Sequence, residues 1–229
     1  MFRRRLKQLA DQSLMRRLSP LESGTGPTIH HAGREVILLS SNDYLGLATH
    51  PEVIRAAIHA TEQYGTGSGA SRLVSGTLPP HTHLETSLAT FKGTEAALLF
   101  GAGYLANIGI IPNLIGQGGL ILADRLCHAS LIDGCRLSRA DLRVFRHRDC
   151  AHLESLLRRR SASRPTLIIT EGLFSMDGDL APLSDLASLA ERYEATLYVD
   201  DAHGTGIMGP TGRGTIEQFG LEQRIPFHM

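Results

Sequence analysis

The sequence predicts an α/β fold in which helices cover both faces of a mostly parallel sheet, and three observations predict it. From Leu84 onward, helix-like and strand-like stretches alternate along the chain, the pattern of parallel strands joined by helical crossovers. The strand-like stretches are apolar and β-rich, as in LIIT before Glu171 and TLYV before Asp200. Two of them end in clustered polar groups: Asp200, Asp201 and His203 after one, and Glu171, Ser175, Asp177 and Asp179 after the other. Open α/β sheets place ligands at the carboxyl ends of their strands, so these two ends define the predicted crevice.

Taken in order, residues 3–18 read as a basic amphipathic helix through Leu6, Leu9, Leu14, Met15 and Leu18, stopped by Ser19-Pro20. Residues 21–34 are turn-rich, Glu35–Ser40 is a short strand, Ser41–Gly46 a polar turn, and Pro51–Tyr64 a helix opened by its proline. Gly65–Gly76, GTGSGASRLVSG, carries Ser68, Ser71 and Arg72 in a glycine-dense loop. Such density lets a backbone bend sharply or approach a ligand closely. Beyond it the pattern predicts helices at 84–92, 103–115, 129–138, 150–160 and 182–193. Five strands are expected, at 96–100, 119–123, 142–146, 166–170 and 196–200. The expected organisation is a helix and connecting arm over 1–45, followed by one large domain over 46–229.

With 229 residues, 42% of them hydrophobic, the chain can bury a substantial core. Basic and acidic residues balance at 23 each, which gives no support to nucleic-acid or anionic-membrane binding. No apolar run approaches the ~20 residues of a membrane span, and the start lacks the apolar segment of a secretory signal. Asp11 and the short length favour a docking helix there over an organellar presequence. Cys127, Cys135 and Cys150 are odd in number and lack CxxC spacing, so neither a disulfide framework nor a zinc site is indicated. Reduced thiols in a cytoplasmic protein are the simplest reading. His81 and His83 form an HxH pair without an evident third ligand, and no metal is predicted.

Gly101–Asn107, GAGYLAN, follows the run ALLF and opens a helix. Free N–H groups and the positive dipole end at such a junction make an anion site. GxGxxA with Asp124 at the end of the next strand also satisfies a dinucleotide fingerprint, which points to an NAD-dependent oxidoreductase as one alternative. That alternative leaves DRLCHAS unused, with His128 at the head of a helix. A flat aromatic cofactor with one phosphate needs a phosphate cradle, a ring to stack on and a carboxylate for its ring nitrogen. Pyridoxal phosphate demands that set; Asp200 suits the ring nitrogen and His203 the phenolic oxygen.

SSNDYLGLATHPEV, GTGSGASRLVSGT, DRLCHASLIDG, TEGLFSMDGDLAPL and VDDAHGTGIMGPTGRG stand in this order between residues 40 and 215. In these motifs the chain resembles the α-oxoamine synthases, fold-type-I pyridoxal-phosphate enzymes that condense an amino acid with an acyl thioester and release carbon dioxide. The resemblance implies that Gly103 and Tyr104 give backbone N–H groups to the phosphate and that His128 stacks on the pyridine ring. It implies that Ser175 and His203 bond the ring oxygen, that Asp200 pairs with the ring nitrogen, and that His128, Asp200 and His203 serve catalysis. Arg16 is expected to hold a substrate carboxylate, with Asn42 and Ser71 near substrate or a partner subunit. Ala102 stands where a serine often occurs. Glu171 is expected either near the cofactor or as a strand-closing residue, and Asp177 and Asp179 as turn-builders. The implied substrates are L-alanine and a pimeloyl thioester, carried by coenzyme A or a carrier protein, in a homodimer of a biotin-pathway enzyme. Sister enzymes that use glycine or serine share most of the motifs.

The family's chemistry needs a lysine that holds the cofactor and moves the substrate's α-proton, expected in a T-x-G-K motif just beyond the segment matching Glu222–Met229. Lys7 and Lys92 are the two lysines, one in the first helix and one in KGTEAALLF, across the phosphate loop from the acids. The expectation is therefore an N-terminal portion of such an enzyme, without its last sheet strands and small domain, and inactive alone. A non-catalytic relic or partner subunit is the further alternative.

Overall fold

The computed structural model describes residues 1–22, 24 and 26–229, which divide into two compact units, Met1–Gly65 and Thr66–Met229. In the first unit, helix α1 (Phe2–Asp11) ends well before the expected residue 18. The expected strand at 35–40 is the second arm of a hairpin, β1 (Thr28–His31) with β2 (Arg34–Ile37), paired antiparallel. Its two-residue turn, Ala32-Gly33, has positive φ at both positions, the geometry that matches strand twist in tight hairpins. Helix α2 (Pro51–Tyr64) opens on its proline, and the His50 side chain accepts the Glu52 N–H at 3.3 Å.

The second unit holds the sheet. Helix α3 (Pro79–Lys92) begins where His81 Nδ1 accepts the Leu78 N–H at 3.0 Å, which gives the first histidine of the HxH pair a capping task. Then follow α4 (Gly103–Leu114), β3 (Leu120–Asp124), α5 (Ala129–Leu137), β4 (Asp141–Phe145) and α6 (Cys150–Arg158). The remainder is β5 (Thr166–Glu171), α7 (Leu183–Arg192), β6 (Thr196–Asp200), α8 (Thr215–Gln218) and β7 (Phe227–His228). The five-stranded sheet runs β4-β3-β5-β6-β7, all pairings parallel. Residues 96–100 do not join it. They pair with no strand among the described residues, Leu99 bonding instead to the Glu85 and Arg72 side chains, and Leu98 is 66% exposed; an apolar β-rich run becomes a strand only when a neighbour offers backbone partners. Phe227–His228, with two residues and no clear pattern, takes the fifth place instead.

Alternation of side chains along the strands builds two cores. Leu120, Leu122, Ile168, Leu197 and Val199 face one way, against α6, α7 and α8. Ile121, Ala123, Leu167, Ile169 and Tyr198 face the other way, against α4 and α5. Helices thus cover both faces of the parallel sheet, as the sequence predicts. No helix among the described residues is long and apolar enough to cross a membrane.

Candidate active site

Three acids mark the carboxyl ends of the central strands: Asp124 on β3, Glu171 on β5 and Asp200 on β6. Glu171 and Asp200 are direct register partners, and the Gly172 N–H donates to the Asp200 carbonyl at 2.8 Å. Asp200 is 6% exposed. Its Oδ2 accepts Asn107 Nδ2 at 2.8 Å and its Oδ1 accepts the Ala202 N–H at 3.1 Å, so both oxygens are held in a fixed plane.

Asn107, on the buried side of α4, is the hub of this arrangement. Its Nδ2 also donates to Ser130 Oγ at 2.9 Å, and its Oδ1 accepts the Tyr198 hydroxyl at 2.8 Å. Ser130 Oγ in turn lies 2.8 Å from His128 Nδ1. A buried amide with donor and acceptor both satisfied rigidifies what it touches, and here it links β6, α4 and the head of α5. The sequence offers one signal for it: Asn107 is the polar residue in the apolar run YLANIGII.

His128 is the N-cap of α5, its exposed ring anchored by Nδ1 to the Ser130 N–H at 3.2 Å. Its own N–H donates to Glu171 Oε1 at 2.6 Å. Burial pushes the Glu171 carboxyl up to about 7, against the pull of the His128 and Ser175 amides, and nearby Asp200 adds to the rise. Ser175 sits exposed on the turn after β5, and His203 half-buried on the turn after β6. At the head of α4, Ala102 is the N-cap and offers no side-chain cap. The first amides of a helix have no intrahelical acceptor, so Gly103 and Tyr104 present bare N–H groups. The Tyr104 hydroxyl is engaged elsewhere, donating to Asp133 Oδ2 at 2.8 Å. Arg16 and Asn42 are exposed in the first unit; Ser71 is exposed in the second.

Beneath this crevice lies a second acid. Asp201 is fully buried, accepting the Thr215 hydroxyl at 2.6 Å and the Thr215 N–H at 2.9 Å. Lys92 Nζ lies 3.7 Å from Asp201 Oδ2 and donates to the Arg213 carbonyl at 2.6 Å and Thr205 Oγ1 at 3.0 Å. Lys92 is therefore beside Asp201. Burial raises the Asp201 carboxyl and lowers the Lys92 ammonium, each opposed by attraction to the other. Gly214, at φ +108°, passes so close that a Cβ there would collide with Asp201 Oδ2.

Asp124, the acid that the dinucleotide alternative would turn to a ribose, has both carboxylate oxygens engaged within the protein. Its Oδ1 accepts the Leu126 N–H at 2.8 Å and contacts His147 Nδ1 at 2.9 Å, and its Oδ2 accepts the Arg148 N–H at 2.9 Å. Asp179 likewise does more than build a turn, because its Oδ2 pairs with Arg148 and His147. Among the described residues no three metal-ligating side chains are arranged to hold a metal ion. Burial raises the Cys127 and Cys135 thiols, the latter to about 12, so neither is a ready nucleophile. The strand and helix ends gathered here thus offer helix amides without intrahelical acceptors, an imidazole and an oriented buried carboxylate. That donor set fits a flat ligand carrying an anionic group and a protonated ring nitrogen.

Residues 34–229 match the sequence profile of the family described as aminotransferase class I and II, and the chain belongs to that family. Within it, the chain is 54% identical over 224 residues to the 8-amino-7-oxononanoate synthase of Geobacter sulfurreducens. It is 51% identical over 228 residues to the enzyme of the same name from Citrifermentans bemidjiense. These alignments cover 98% and 100% of this chain and 57% and 58% of those proteins, so the chain spans under two thirds of its relatives' length. A serine palmitoyltransferase from S. paucimobilis, solved with a bound PLP–myriocin aldimine, superposes at TM-score 0.90 with 36% identity. That superposition covers 98% of this chain and 57% of the other. An 8-amino-7-oxononanoate synthase from Francisella tularensis gives TM-score 0.67 at 32% identity, covering 80% and 50% of the two chains.

Proposed function

We propose that this chain forms the pyridoxal-phosphate-binding part of an 8-amino-7-oxononanoate synthase, which joins L-alanine to a pimeloyl thioester with loss of carbon dioxide. The observation that carries the cofactor reading is Asp200, a buried carboxylate planted at a strand end by Asn107 and Ala202. The particular synthase rests on relatives of that name at 51–54% identity across nearly the whole chain. Residues 1–45 form the arm and residues 46–229 the cofactor-binding domain. The assembly is a cytoplasmic homodimer.

Pyridoxal phosphate, when bound, supplies the electron sink that stabilises a carbanion at the substrate's α-carbon. The chain's own groups bind and orient. Gly103 and Tyr104 offer amides to the phosphate at the positive end of α4. Asp200 would accept a hydrogen bond from the protonated ring nitrogen and so keep it protonated, and its two fixed donors keep that acceptor from rotating. His128 presents its exposed ring as a stacking face, and Ser175 and His203 donate to the ring oxygen. Arg16 is the candidate for the substrate carboxylate, and Asn42 and Ser71 are candidates for contact with substrate or a partner subunit.

Lys92 is unsuited to hold the cofactor covalently, because its three N–H groups face Asp201, Thr205 and the Arg213 carbonyl. Lys7 is exposed on α1. We therefore expect this chain alone to bind substrate-like ligands without turnover. Difference absorbance of the pyridoxal-phosphate-loaded chain with L-alanine, glycine and L-serine tests the substrate reading. The expected result is tightest binding of L-alanine and no 8-amino-7-oxononanoate by mass spectrometry when pimeloyl-CoA is added. Preference for glycine or L-serine would assign a sister enzyme, and robust turnover would refute the expected inactivity.

A further inference from the structure

His147, in the loop FRHRD between β4 and α6, bridges two carboxylates from different parts of the chain. Its Nδ1 lies 2.9 Å from Asp124 Oδ1 and its Nε2 3.0 Å from Asp179 Oδ2. Phe174 meets the ring edge-on, with centroids 4.6 Å apart, and the side chain is 17% exposed. Asp124 begins the turn that leads to His128. It holds the Leu126 N–H there, as well as the Arg148 N–H. Asp179 closes the turn that bears Ser175: its carbonyl accepts the Phe174 N–H at 3.0 Å, and Gly178 N–H donates to the Phe174 carbonyl at 2.8 Å. One side chain therefore joins the two turns that flank the crevice.

We propose that His147 is a positioning residue that ties the Ser175 turn to the Asp124–His128 turn, so that both walls of the crevice meet a ligand as one unit. Its bearing on pyridoxal phosphate rests on the cofactor reading above, while the tie itself does not. Two carboxylates can accept from both ring nitrogens only if both carry protons. Burial lowers the His147 pKa, but hydrogen bonds and charge from Asp124 and Asp179 outweigh it and leave the value above its ordinary 6.5. Around the ring stand Asp124 from β3, Asp179 from the turn and Arg148 from the same loop, the last pairing with Asp179 at 2.8 Å. A raised histidine pKa gives a contribution that is complete below the unfolded value and is lost as pH rises through the folded one. The tie is thus closed below the ordinary histidine value and loosens as pH rises through the raised one, with Arg148 still holding Asp179.

Hydrogen exchange of the whole chain, without added ligand, between pH 6 and 9 tests the tie, after correction for intrinsic exchange rates. In His147→Gln the Phe174, Gly178, Ala181 and Leu126 amides should exchange about tenfold to a hundredfold faster than wild type at pH 6. The gap should shrink toward pH 9, with amides in α7 and β6 unchanged. Asp179→Asn should speed the Ser175 turn alone, and it serves if His147→Gln does not fold. Equal exchange in variant and wild type at pH 6, or a gap that does not vary with pH, would overturn the proposal. Pyridoxal-phosphate affinity, read by absorbance, should fall in His147→Gln. If wild type fails to bind it, the cofactor reading falls while the exchange data still decide the tie.

Discussion

Glu171 closes β5 at 4% exposure, with the His128 N–H on its Oε1 and Asp200 as its register partner. Its folded pKa of about 7, against an ordinary 4.5, makes it a residue whose charge works against the fold. The folded state holds the proton over a range where the unfolded chain has released it. Stability must therefore fall as pH rises from about 4.5 to about 7, and level off above. Glu171→Gln removes that slope. Melting temperatures across this range should fall by roughly 5–10 °C less in the variant than in wild type, and parallel curves would show that Glu171 is not the group responsible. The sequence alone leaves Glu171 between a cofactor role and a strand-closing one. Its bonding shows the second role plainly, through the amide of His128. Asn107 left only its polarity in an apolar run as a signal and His147 left none, for a shared reason: each matters through partners far along the chain, Asp200 and Asp179, that no spacing rule connects.

At the scale of elements, α4 and α5 pack closely enough to bring Asn107 and Ser130 within a hydrogen bond. Gly134 on α5 permits this, since a Cβ there would lie 2.8 Å from the Asn107 carbonyl oxygen and 2.9 Å from Ile111 Cδ1. The first contact is with backbone and cannot be relieved by a rotamer change. Gly134→Ala gains about 1 kcal/mol of helix propensity, yet separating the helices should leave a net loss of about 1–2 kcal/mol. A lower urea midpoint at unchanged slope is the expected result; an equal or higher midpoint would show that the helices adjust freely. The helices and parallel strands from 103 to 200 were legible because burial on both sheet faces writes long apolar stretches between caps such as Asp149, which accepts the His152 N–H at 2.7 Å. The run at 96–100 was misread because its apolar pattern is that of a strand, whereas pairing depends on a neighbour. The β1–β2 hairpin lost its first arm in a turn-rich segment where four residues carry too little alternation.

Over the whole molecule, what the parallel topology accomplishes is convergence: Asp124, Glu171 and Asp200 belong to strands far apart in sequence yet share one edge of the sheet. The gathering of acids at these strand ends was legible from that rule alone, because acids after apolar runs stand out in sequence. The hydrogen-bond relay behind them was not, since it is assembled by packing of α4 and α5 on the sheet. The central claim, that this edge takes pyridoxal phosphate, is tested most directly by titrating the purified chain with the cofactor and following visible absorbance, in wild type and in Asp200→Asn. The Asn side chain can still accept from Asn107 but cannot offer a charged acceptor, which should weaken binding about tenfold to a hundredfold. Saturable wild-type binding with that loss is the predicted result. No saturable binding, or equal affinity in the two proteins, would contradict it.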